Sequence, residues 1–147
     1  MISAAVPTPS IYLSGQFEDA PTLRRIRDEL AAAGVHVTSR WLEGGSAVPA
    51  TARAHEQDAA ARLAAIARQD MEDIDAADIV VVFNPPEACN VGRGGRHVET
   101  GYALARGKRI VVVGARGNVF HWLPDITMVP DWNGLLALCH PAPATSC

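Results

Sequence analysis

Excess positive charge is the first thing missing from this sequence. Its 13 lysines and arginines are outnumbered by 16 aspartates and glutamates, for a net charge of −3 at pH 7, with an isoelectric point near 5.9. Binding to polymeric nucleic acid needs a cationic surface, and this balance argues against one. Aromatic residues are also scarce, at 5%, so alanine and valine must fill the core, which suits helices packed closely on a sheet. The three cysteines, Cys89, Cys139 and Cys147, are odd in number and lack C-x-x-C spacing. They make neither a disulfide framework nor a structural zinc site, and they point to a reducing, cytoplasmic setting. No apolar run approaches the roughly 18 residues of a membrane span. Residues 1–9 carry no positive n-region of a signal peptide.

What remains is material for one compact domain. Of 147 residues, 48% are hydrophobic, enough for a single core. The expected division is a short tail over 1–9, one domain over 10–139 and a tail over 140–147. Ile11-Tyr12-Leu13 reads as a strand entering the turn Ser14-Gly15. Asp19 is positioned to cap a helix carrying Leu23, Ile26, Leu30 and Ala33 at helical spacing, with Pro21 in its first turn and Gly34 at its end. Val35 to Thr38 then reads as a strand. Ala50 to Asp70 reads as a long alanine-rich helix, followed by a second turn or short helix to Ala77. Ile79 to Phe83 and Arg109 to Gly114 are apolar runs without alternation, separated by a helix over Arg96 to Arg106. Such runs mark parallel strands buried on both faces. Thr127 to Val129 is a further short strand and Asp131 to Cys139 a closing helix. Right-handed crossovers then give an α/β fold, a doubly wound sheet of about five strands, with ligands beyond the carboxyl ends of the strands.

Two carboxylates stand out against that frame. At 100° per residue, Leu63, Ile66, Ala67, Met71 and Ile74 share one helix face, and Asp70 falls near its centre, while Glu72, Asp73 and Asp75 point away. An acid among apolar neighbours is costly unless paired, hydrogen-bonded or working. Glu99 follows the glycine-rich run Gly92-Arg93-Gly94-Gly95-Arg96, early in its helix, where the dipole favours the ionised form. On spacing alone it reads equally as an ordinary first-turn glutamate or as a carboxylate facing a pocket. Gly101 and Ala103 leave space beside it. Tyr12, near the end of the first strand, reads either as a core residue or as one whose hydroxyl emerges at the same edge. The loop can bind phosphate through backbone amides and guanidinium groups, or stand as a solvated loop. It lacks the Walker lysine. The spacing of His97, Glu99 and His121 matches no metal site, and His36, His55 and His140 read as surface or strand residues.

The run Gln69-Asp70-Met71-Glu72-Asp73-Ile74-Asp75-Ala76-Ala77-Asp78, the following strand, and Val98-Glu99-Thr100-Gly101-Tyr102-Ala103-Leu104-Ala105-Arg106-Gly107-Lys108 resemble the nucleoside 2-deoxyribosyltransferase family. Ile11 to Phe17 resembles its opening strand and turn, and Gly117-Asn118-Val119-Phe120-His121-Trp122 a later segment. The similarity spans residues 11 to about 135. It implies a flavodoxin-like fold, no cofactor, and chemistry at an N-glycosidic bond within nucleotide salvage. It also implies roles. Glu99 would attack C1′ of a 2-deoxyribosyl group, Tyr12 would hold its carboxylate, and Asp70 would manage protonation of the base. Gly15 and Phe17 would line the pocket, and Asn118 would reach a neighbouring subunit of a homo-oligomer. The partners implied are a deoxynucleoside or deoxynucleotide and a free base.

One position departs from the family pattern. Transferases using free nucleosides often carry an aspartate six residues before the glutamate, where this chain has Arg93. Arg93, with Gly95 and Arg96 nearby, suits a 5′-phosphate, so hydrolysis of deoxynucleoside 5′-monophosphates stands beside transfer. A catalytically silent nucleotide sensor is a third reading, disfavoured by Tyr12, Asp70 and Glu99 occurring together. A phospho-receiver domain is a fourth, disfavoured by Ser14-Gly15 and Asn84-Pro85 where it would need acids.

Overall fold

The computed structural model describes residues 7–44, 57–92 and 94–139. The apolar runs form four parallel strands, β1 (Ile11–Ser14), β2 (Ile79–Asn84), β3 (Arg109–Gly114) and β4 (Ile126–Val129), in the order β1-β2-β3-β4. Helices α1 (Ala20–Ala32) and α4 (Trp132–Cys139) cover one face. Helices α2 (Gln57–Ala76) and α3 (Gly95–Ala105) cover the other. The central strands are buried nearly throughout, as strands covered on both faces must be. Leu13, Leu23, Ile26, Val81, Val111 and Leu135 build the core on the α1 face. Tyr12, Ile74, Val80, Val82, Ala103 and Val112 build it on the α3 face.

Among the described residues the sheet has four strands where about five were expected. Val35 to Thr38 runs parallel beside β1 but pairs only through a bridge between Val37 and Ile11. Two backbone bonds hold it, from Ile11 N–H to His36 O and from Thr38 N–H to Ile11 O. The chain then turns into a 3-10 segment at Arg40–Glu43 before a ladder can extend.

Helix α2 also differs from expectation. It runs unbroken through Asp70 to Ala76, with no second helix. The expected start at Ala50 lies outside the described residues. Its apolar stripe is less buried than its spacing suggested: Leu63, Ala67 and Met71 are exposed, Ile66 is half-buried and Ile74 is fully buried. Twenty residues of helix span about 30 Å, whereas the six residues of β2 span about 20 Å. The amino-terminal end of α2 therefore extends past the sheet. Asp73, expected to point away, is buried, and its carboxylate accepts from Arg40 N–H at 2.9 Å and Arg40 Nε at 2.6 Å.

From β1 the chain leaves over one face through α1. From β2 it leaves over the other through α3. The carboxyl ends of β1 and β2 thus flank the point where connections diverge, the place in an open parallel sheet where a crevice forms.

Candidate active site

Strand periodicity brings the first groups to that crevice. Tyr12 and Ser14 are two residues apart on β1 and project to the same face, toward α3. Glu99 is the fifth residue of α3 and meets both. The Tyr12 hydroxyl donates to Glu99 Oε1 at 3.1 Å, and the Ser14 hydroxyl donates to Oε2. Each oxygen of the carboxylate therefore has its own donor. Burial pushes the Glu99 carboxyl above the ordinary glutamate value, and the Ser14 and Tyr12 hydrogen bonds offset part of that rise by stabilising the ionised form. Tyr12 moves in the opposite sense. Burial, and then the Glu99 charge, hold its hydroxyl protonated well above the usual phenol range.

Asp70 approaches from α2. Its carboxyl is pushed up to about 7, first by burial, then by the charges of Glu99 and Asp73, against the pull of Arg40. Its Oδ1 is buried with no hydrogen-bond partner. Arg40 is held away by Asp73 and by Glu72 at 3.0 Å. The two acids thus differ in kind, one clasped by donors and one left without them.

The glycine-rich loop is fixed from beneath by two residues whose roles sequence reading did not find. Gln16 is buried; its Oε1 accepts from Gly92 N–H at 2.5 Å, and its Nε2 donates to Cys89 O at 3.0 Å and Asp19 Oδ2 at 3.1 Å. Arg96, read as a substrate contact, is buried with Nη2 on Asn90 Oδ1 at 2.8 Å and on Asn84 Oδ1 at 3.4 Å. Its Nε is unpaired. Gly95 opens α3 behind Gly94, which sits at φ +90° and offers no side-chain cap. Arg93 lies outside the described residues. Gly15 packs so closely that a Cβ would lie 2.6 Å from Leu23 Cδ1. Phe17 is exposed beside it.

Asn118 stands elsewhere. It caps the 3-10 turn Val119–Trp122 by accepting from Phe120 N–H, and its amide pairs with His97 Nδ1 at 3.3 Å. His97, Gly101 and Leu104 form a stripe on the opposite side of α3 from Glu99. With Thr100, Asn118 and Phe120 they line a cavity of about 420 Å³. The structure therefore gathers Tyr12, Ser14 and Glu99, with Asp70 close enough for the two acids' charges to act on each other, and leaves Asn118 apart from this chain's own Glu99. Ser14 was legible in principle, because period-two alternation puts it on Tyr12's face. Among the described residues, no three His, Cys, Asp or Glu side chains gather as a metal-binding set.

The model of the nucleoside 2-deoxyribosyltransferase family matches residues 11–132. The chain belongs to that family. Among solved structures, the 2-deoxyribosyltransferase of Bacillus psychrosaccharolyticus is similar with a TM-score of 0.59 and 19% identity, covering 86% of this chain and 89% of that one. The CMP N-glycosidase of Clostridium botulinum is similar with a TM-score of 0.50 and 17% identity, covering 88% and 94%. At such identities the likeness is one of fold. No curated protein sequence matches the chain. The family and both neighbours are enzymes acting at an N-glycosidic bond.

Proposed function

We propose that this chain cleaves the N-glycosidic bond of a deoxynucleoside or deoxynucleotide and passes the sugar to another base. The observation that carries the reading is the contrast between its two acids. Glu99 is clasped by Tyr12 and Ser14, and Asp70 is held near neutrality with an orphaned oxygen. An ionised Glu99 attacks C1′, a C–O bond forms as the C1′–N bond breaks, and the transition state carries oxocarbenium character. A protonated Asp70 gives its proton to the departing base. An acceptor base then attacks C1′, Asp70 takes the acceptor's proton, and Glu99 is released. Two acids in contrasting environments suit these two tasks.

Hydrolysis of a deoxynucleoside 5′-monophosphate is the second reading. It is favoured by the amino terminus of α3, which has no side-chain cap and has the partly unpaired guanidinium of Arg96 close behind it. Both features suit an anion. A homo-oligomer belongs to the same proposal. Val98, Phe120 and Trp122 are exposed on or next to the α3 side that carries the Asn118 cavity, where a second copy would cover them.

Incubation with each deoxynucleoside and each 5′-monophosphate, with and without a free base, separates the readings by chromatography. Exchanged nucleoside means transfer. Free base with deoxyribose or its phosphate means hydrolysis. Glu99→Ala is expected to lower turnover by about 10³-fold or more while the circular dichroism spectrum is unchanged. Turnover surviving that substitution would remove Glu99 as the nucleophile.

A further inference from the structure

Buried hydroxyls ordinarily bond to the nearest free carbonyl. Thr38 bonds to Ile11 O and Asp73 O, Ser39 to Leu13 O, and Thr100 to Arg96 O. Ser14 does otherwise. It is fully buried at the end of β1, with its backbone in register with Val82 of β2, and its hydroxyl reaches across to the carboxylate of Glu99. Tyr12 holds the other oxygen. Two donors on one strand, two residues apart, thereby fix both oxygens and the plane of the carboxylate.

We propose that Ser14 is a positioning residue for the reaction, holding Glu99 ionised and oriented so that one oxygen faces C1′ of the sugar. The inference rests on the reading of Glu99 as the attacking group. When an oxygen of Glu99 forms the C1′–O bond and the base departs with its electron pair, the other becomes the carbonyl oxygen of the ester and still accepts a hydrogen bond. The clasp is therefore compatible with both states of the carboxylate. The surrounding charges make Ser14 matter. From α2, Asp70 faces Glu99, with Asp73 and Arg40 behind it. On α3 itself, Arg96 turns to Asn84 and Asn90, and His97 turns to Asn118. Among the described residues no cation is seen to bond to Glu99, and the two β1 hydroxyls oppose its desolvation. Without Ser14, protonation of Glu99 moves to higher pH.

The test follows Glu99 with and without turnover. Protein labelled with ¹³C at the glutamate carboxyl is titrated by NMR, with the Glu99 signal assigned from Glu99→Gln. The pH dependence of kcat/KM is measured alongside for wild type, Ser14→Ala and Ser14→Thr. For Ser14→Ala we expect the NMR midpoint and the acid limb of kcat/KM to rise together by about one pH unit. Below that limb kcat/KM should fall about tenfold, since the rate follows the ionised fraction. Ser14→Thr, which keeps the hydroxyl, should restore both. A folded Ser14→Ala whose Glu99 midpoint stays at the wild-type value overturns the proposal. So does a midpoint that rises while the acid limb stays in place. A wild type that turns over no nucleoside or nucleotide instead overturns the reading of Glu99 as nucleophile, and with it the positioning role. Should Ser14→Ala fail to fold, Ser14→Cys, a weaker donor of similar size, carries the same prediction with a smaller shift.

Discussion

Asp70 and Glu99 are both carboxyls drawn out of water, and their neighbours drive them apart. Glu99 gains two hydroxyl donors, while Asp70 keeps an oxygen with none. With its carboxyl at about 7, Asp70 still holds a proton over much of the acidic and neutral range. Activity that needs this proton should decline as pH rises through about 7, giving the alkaline limb of a bell. Asp70→Asn should remove that limb and lower kcat by about 10²-fold, read from base release between pH 5 and 9. An alkaline limb that persists in the variant would assign the proton to another group. The same shift has a consequence for stability. The folded state binds the Asp70 proton more tightly than the unfolded chain does, so its contribution is present below the ordinary aspartate range. It is lost as pH rises toward about 7. Asp70→Asn should therefore gain on wild type with rising pH. After discounting for partial exposure, the gain is about 1 kcal/mol, or about 2–4 °C in Tm at pH 8.

At the scale of elements, the site depends on how the carboxyl ends of β2 and β3 are joined. Asn84 and Gly114 are register partners there. Gly114 sits at φ +109°, and a Cβ on it would lie 2.3 Å from the Asn84 carbonyl oxygen. Backbone cannot yield as a side-chain tip can, and an alanine also strains at that φ. Gly114→Ala should cost about 3 kcal/mol or more, seen as a lower denaturation midpoint with an unchanged m-value. A midpoint equal to wild type would mean that the two strand ends separate freely. Most elements were legible, because unbroken apolar runs and glycine stops report local preferences that burial reinforces. Val35 to Thr38 had the same local signal as the other strands but lies at the edge, where only the bridge at Val37 formed. Asp70 stood out as an acid on a periodic apolar stripe, Glu99 by its place early in a helix behind the glycine-rich run, and Tyr12 by its place near the end of the first strand. The structure brings the three side chains near one another. The clasp of Gln16 on Cys89 and Gly92, and that of Arg40 on Asp73, were not legible. Those partners lie 73, 76 and 33 residues apart, and nothing local marks them.

For the whole molecule, the unanswered surface lies on α3 and the 3-10 turn Val119–Trp122. Val98 and Val119 are each 74% exposed, Trp122 71% and Phe120 59%. The guanidinium of Arg116 lies 4.3 Å from the Trp122 ring and covers one side of it. Phe120 borders the cavity where Asn118 and His97 pair. Isolated exposed apolar side chains are ordinary, but several large ones in one short segment are characteristic of an interface. Leu63 and Met71 of α2 are exposed as well and add to this apolar surface. A stable pair buries about 800 Å² on each partner, an area within the reach of four large side chains and their neighbours. If a second copy covers this face, wild type should sediment as a dimer or larger species at micromolar concentration. The double variant Val98→Asp, Phe120→Asp should sediment as a monomer with an unchanged circular dichroism spectrum. A single charge buried at such a contact, unpaired, costs several kcal/mol, so two should shift the midpoint of assembly by more than about 10³-fold in concentration. The turnover of that monomer then tells whether one chain holds a complete site. Loss of activity with Tyr12, Ser14 and Glu99 intact would mean that the α3 face opposite Glu99 serves the partner's chemistry. Full activity would confine the site to the crevice between β1 and β2. A wild type that remains monomeric at every concentration would leave the exposed cluster without a homomeric role.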